Sequence, residues 1–114
     1  MGKLLFLARL LAPWLGLLSS AAQPADDLLT FKLLARDGRF QPETIEVPAG
    51  QRFRLEISNQ NPGPEEFESR ELRKELVLAP GVTRMVVFAP LKHGVYPFFG
   101  EFHPETAKGR IIAK

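Results

Sequence analysis

The sequence predicts an all-β protein, a sandwich of about seven strands. Three observations carry that expectation. Past residue 28 the chain is cut every eight to twelve residues or so by glycine or proline, the rhythm of short strands joined by turns. The segment QRFRLEIS alternates, with Phe53, Leu55 and Ile57 on one side and Arg52, Arg54 and Glu56 on the other, which makes one face core and the other solvent. Helix-type patterning is confined to EFESRELRKE, whose charges pair at three- and four-residue spacing and which has room for one helical turn between two strands.

In chain order, a strand is expected from Leu29 to Ala35, ended by the polar turn RDGRFQPE. A short one from Thr44 to Val47 stops at PAG, and Gln51 to Ser58 is the alternating strand just described, closed by NQNPGP. Arg73 to Leu78 ends at APG and Thr83 to Phe88 ends at PLKHG, with Met85 and Val87 repeating the two-residue period. Gly94 to Phe99 carries Tyr96 and Phe98 on one side, and Arg110 to Ala113 follows the TAKG turn. There is no internal repeat and no low-complexity segment.

The beginning of the chain has another character. Lys3 precedes an apolar run from Leu4 to Leu18, and Ser20, Ala21 and Ala22 offer the small residues a signal peptidase inspects. Arg9 and Pro13 break the run, which falls short of the ~20 apolar residues of a membrane span. Residues 1–22 are therefore expected to be a cleaved signal peptide, 23–27 a flexible leader and 28–114 one domain; a retained amphipathic anchor is the alternative. Cleavage would leave 92 of the 114 residues, enough for one modest core.

The whole chain carries a formal charge of +2 and a pI near 9.2, but Lys3 and Arg9 would leave with the signal, so that acidic and basic side chains balance. The basic pI is thus no argument for nucleic acid. With no cysteine there is no disulfide to support the core and no thiolate for a metal site.

Two short stretches hold chemistry. Glu101 and His103 flank Phe102 and share a face if the backbone there is extended; Glu66 and Glu68 share a face around Phe67 in the same way. Close carboxylates repel one another unless a cation or basic side chains offset them, so the competing reading is a salt-bridged surface in which Arg70 or Arg73 does so. Glu71 and Glu75 read as ordinary surface charge, and His93 as an exposed turn residue. Phe98, Phe99 and Phe102 are core aromatics that could also dry a site. No serine–histidine–acid arrangement, phosphate-cradling glycine loop or basic helical face is present.

The succession FQPETIEVPAGQRFRLEISNQN, EEFES, APG, LKHGVYPFF, a histidine and KGRIIAK resembles the cupredoxin domain over essentially all of the mature chain. The resemblance implies a Greek-key β-sandwich. Matched to the copper-binding members, Gly100 falls where the cysteine ligand would be, His103 keeps the histidine, Lys108 takes the methionine position and Glu65 that of the early histidine. A type 1 blue copper centre, which depends on thiolate and imidazoles, is excluded by composition. More narrowly, PEEFESREL and PFFGEFHPETAKG resemble the cupredoxin-like periplasmic subunit of bacterial ferrous-iron transport systems and the EfeO-type cupredoxin domain.

What that narrower resemblance implies is a periplasmic protein that binds Fe(II) or Cu(II) through Glu66, Glu68, Glu101 and His103, with Glu65 as a weaker ligand. Its implied partners are an iron permease and a second periplasmic metal-binding protein, with a homodimer open. Oxidation of Fe(II) before transport is part of the implication; whether the chain is an enzyme stays open. A carrier without redox activity and a metal-free interaction domain are the competing functions.

Overall fold

The computed structural model describes residues 27–114, so the expected signal peptide and all but the last residue of the expected leader lie outside the described residues. Among the described residues there are nine strands: β1 (Leu29–Arg36), β2 (Arg39–Gln41), β3 (Thr44–Val47), β4 (Phe53–Asn59), β5 (Glu65–Ser69), β6 (Lys74–Leu78), β7 (Thr83–Phe88), β8 (Gly94–Phe99) and β9 (Lys108–Ala113). They form two sheets, one ordered β2-β1-β4-β7 and the other β3-β9-β8-β5-β6. The parallel pairs β1–β4 and β3–β9 need long connections, and these carry the chain from one sheet to the other.

The all-β sandwich stands, with two strands more than expected. Arg39–Gln41, read as part of a turn, pairs antiparallel with the end of β1 and buries Phe40. Glu65–Ser69 is the second addition. The stretch with helix-like charge spacing is a hairpin, in which β5 pairs antiparallel with β6 around a turn at residues 70–73. Burial explains why strand wins over helix. Glu65, Phe67 and Ser69 share the inward side of β5, at 0%, 0% and 1% exposure, and a two-residue period is what places all three there. Exposed charge pairs three or four apart contribute only tenths of a kcal/mol and cannot oppose that burial. Arg73 adopts φ 55°, a left-handed turn conformation, and its N–H donates to the Arg70 carbonyl at 3.2 Å.

The core runs between the sheets. Phe40 crosses from the first sheet to meet Phe98 at 5.3 Å and Phe67 at 6.2 Å between ring centroids, and Phe67 and Phe98 lie 5.0 Å apart. This cluster backs β5, whose outer surface carries Glu66 and Glu68. The loop leading into β5 is tied down by Asn59, which is wholly buried. Its Nδ2 donates to the carbonyls of Gly63 at 3.0 Å and Leu78 at 2.9 Å, and its Oδ1 accepts from the Asn61 N–H at 2.9 Å. Asn59→Ala is expected to destabilise the domain by about 2 kcal/mol, because three polar groups, two of them in buried hydrogen bonds, lose their partner; a denaturant melt at constant m-value checks it.

Candidate metal centre

Side-chain alternation along β5 sends consecutive glutamates in opposite directions: Glu65 goes into the interior with Phe67, while Glu66 and Glu68 go to the outer face. In the hairpin register Glu68 stands opposite Glu75 of β6 and Glu66 opposite Val77. On its other side Glu68 stands opposite Phe99, at the end of β8. Two residues back along β5 and two forward past β8, the same antiparallel register brings Glu66 alongside Glu101. Three chain segments thus deliver four carboxylates, and one oxygen from each of Glu66, Glu68, Glu75 and Glu101 lies within 4.8 Å of the other three.

The electrostatics of this group are unbalanced. Glu66 is only 4% exposed although it is on the outer face, and its Oε1 has no hydrogen-bond partner. Burial, then the hydrogen bond to Glu68, then the charges of Glu101, Glu68 and Glu75 push its pKa up to about 7. Arg70 supplies the one cationic contact to the four that the described residues show, Nε to Glu68 Oε2 at 3.8 Å, and its guanidinium lies 5.3 Å from the centroid of the Phe99 ring. A salt-bridged surface would instead show short basic contacts to several of the acids. Arg73 borders the same hollow with Lys74 and forms no ion pair with the cluster.

His103 lies elsewhere. The Gly100–His103 turn, closed by the His103 N–H on the Gly100 carbonyl at 3.1 Å, exposes Glu101 and Phe102 and sets the Nδ1 edge of a partly exposed imidazole against the interior. Nδ1 of His103 is 2.6 Å from Oε2 of the fully buried Glu65, and the ring packs on Gly38, where a Cβ would lie 3.0 Å from its Cδ2. Asn61 completes this inner network. Its Nδ2 donates to Glu65 Oε2 at 3.4 Å and its Oδ1 accepts from the Gly38 N–H at 3.0 Å. The expected five-residue set is therefore divided: Glu66, Glu68 and Glu101 converge, whereas Glu65 and His103 pair with each other behind them. Glu75 joins the first group although the sequence gives it no special standing. His93 is exposed, Phe98 is core, and Phe102, expected in the core, is half exposed and lines a hollow with His103 and Asn61.

The cupredoxin-like domain model matches residues 7–113. The chain belongs to the cupredoxin-like family. An uncharacterized protein of Rickettsia prowazekii (strain Madrid E) is 41% identical over 87 residues, which cover 76% of this chain and 70% of that protein. Among solved structures, auracyanin A, a blue copper protein from Chloroflexus aurantiacus, is similar at a TM-score of 0.64 and 12% identity, over 75% of this chain and 98% of its own. The metal-binding domain of the Cu(I)-exporting P-type ATPase CopA of Streptococcus pneumoniae, solved with Cu(I), is similar at 0.63 and 15% identity, over 75% and 84%. At these identities the structural likeness speaks for the fold alone.

The family raises the question of copper, and the residues of this cupredoxin-like domain do not fit a thiolate centre. At Gly100 an added Cβ would stand 2.5 Å from Glu65 Oε1 and 2.9 Å from the Glu66 carbonyl oxygen, so even the first atom of a larger side chain has no room there. The chain has no cysteine to supply a thiolate, and Nδ1 of His103 is already engaged with the Glu65 carboxylate. In this cupredoxin-like domain His103 and Asn61 hydrogen-bond to the buried Glu65, and the four converging carboxylates lie on the opposite, outer face of β5.

Proposed function

We propose that this cupredoxin-like protein binds an iron ion as cargo at Glu66, Glu68, Glu75 and Glu101, and that it does so in the periplasm as part of ferrous-iron uptake. The observation that supports this most directly is the unpartnered, buried Oε1 of Glu66 inside a group of four converging carboxylates. An unsatisfied buried acceptor costs about 1–3 kcal/mol, and a cation removes that cost together with the mutual repulsion of the acids. An all-oxygen donor set suits hard ions and iron better than Cu(I). The signal-like start of the chain and the PEEFESREL and PFFGEFHPETAKG stretches favour the periplasmic iron role, with a permease and a second periplasmic metal-binding protein as partners.

Four carboxylates hold Fe(III) more strongly than Fe(II), which lowers the potential of bound iron and favours its oxidation. Turnover would further require an electron acceptor from a bound cofactor or a partner protein. Anaerobic calorimetry with Fe(II), alongside Mn(II) and Cu(II), tests the binding. Fe(II) is expected to bind at one site per chain, and Glu66→Gln to weaken it by roughly tenfold or more, the equivalent of ~1.4 kcal/mol. Absence of heat and of thermal stabilisation with all three ions would overturn the reading in favour of a metal-free interaction domain. Aerobic Fe(II) consumption above the buffer rate, lost in Glu66→Gln, would mark an oxidase; binding without consumption would mark a carrier.

A further inference from the structure

We infer that His103 is a positioning residue for the carboxylate cluster rather than a ligand in it, acting through Glu65 to fix Glu101 against Glu66. This rests on the reading of the four carboxylates as a cation site. Glu101 is exposed and, among the described residues, forms no ion pair that would hold its side chain in the cluster. What holds it is the turn on which it sits. Both ends of the Gly100–His103 turn rest on one buried carboxylate: Gly100 packs on Glu65 Oε1, and His103 Nδ1 hydrogen-bonds Glu65 Oε2 at 2.6 Å. The turn is closed by His103 N–H to Gly100 O and tied to the next loop by Gly100 N–H to Ala107 O and Ala107 N–H to His103 O, each of these two at 2.8 Å.

The same Glu65 carboxylate fixes the other side of the gap. Its Oε1 accepts the Glu66 N–H at 3.0 Å, so the inner lock grips the backbone of Glu66 and the turn bearing Glu101 at once. Two acids on opposite sides of the cluster are thereby referenced to one interior group. If His103 lets go, the turn keeps its backbone bonds but loses its side-chain anchor on Glu65, so that Glu101 is less well fixed against Glu66, while Glu68 and Glu75 keep their places in the β5–β6 hairpin.

Calorimetric Mn(II) titration of the full chain and of variants tests this, since Mn(II) needs no protection from air. His103→Ala is expected to lower affinity about 10–100-fold, the usual scale for losing a group that orients a ligand. His103→Asn is expected to recover most of the loss, because its amide nitrogen lies as many bonds from Cα as Nδ1 does. Combined with Glu101→Gln, His103→Ala should cost nothing further, whereas with Glu75→Gln the two losses should add. Should His103→Ala fail to fold by circular dichroism, His103→Asn against His103→Leu carries the same comparison. Wild-type affinity in the Ala or Leu variant, failure of Asn to rescue, or additivity with Glu101→Gln would each overturn the positioning role and leave the cation site standing. No binding by the wild-type chain would remove both.

Discussion

Between pH 4.5 and about 7 the metal-free protein is expected to lose about 3 kcal/mol of stability as pH rises, and Glu66→Gln to abolish most of that slope. The sign follows from proton counts. In the unfolded chain Glu66 titrates at its ordinary 4.5, and in the folded protein near 7. Within that window the native state holds a proton that the unfolded state has released, so raising the pH favours unfolding. Below 4.5 both states are protonated and above about 7 both are ionised, so the contribution is flat on either side. For a domain of this size the loss corresponds to a fall of roughly 15 °C in melting temperature. Thermal melts from pH 4 to 9 of wild type and Glu66→Gln, with chelator present, give the difference; parallel curves would mean that Glu66 is not held protonated. A bound cation opposes the trend, since it stabilises the ionised form, and its affinity should fall as pH drops below about 7.

Gly100→Ala is expected to cost about 3 kcal/mol, large for the addition of one methyl group. The new Cβ would lie 2.5 Å from Glu65 Oε1 and 2.9 Å from the Glu66 carbonyl oxygen, neither of which can retreat cheaply. Glu65 is fully buried and engaged with His103, Asn61 and the Glu66 N–H, so moving it breaks hydrogen bonds as well as packing. Overpacking of about 1–3 kcal/mol and a buried polar group left without its partner, about 1–3 kcal/mol, give that total after partial relaxation. Gly63→Ala is the control. Nothing lies within 4 Å of a Cβ there, and stability should stay within about 0.5 kcal/mol of wild type. Urea denaturation of the two variants separates the close contact from the general effect of replacing glycine.

The sandwich was readable because QRFRLEIS buries one residue in two, and the structure places Phe53, Leu55 and Ile57 at 0% exposure. The β5–β6 hairpin was less readable: its charges sit at spacings that also suit a helix, and only the burial of Glu65 and Ser69 with Phe67 decides between them. Glu75 fell on an expected strand and read as surface charge because that strand's partner was not assigned. Once EFESRELRKELVL is folded back on itself about residues 70–73, Glu75 falls opposite Glu68. The alternation that separates Glu65 from Glu66 was present in the letters, but the destination of His103 was not. Its orientation depends on a turn whose hydrogen bonds involve Gly100 and Ala107, and on an interior carboxylate whose access depends on a glycine 35 positions away.

The four acids come from the two arms of the β5–β6 hairpin and from the loop after β8. An ion seated among them would tie distant parts of the chain together, as a crosslink does, in a protein that has no sulfur bridge to do so. Cargo and mechanical fastening would then be one object: releasing the ion to a recipient would also unfasten the loop that carries Glu101. Delivery would thereby change the shape of the donor's surface at the place where a recipient must touch it.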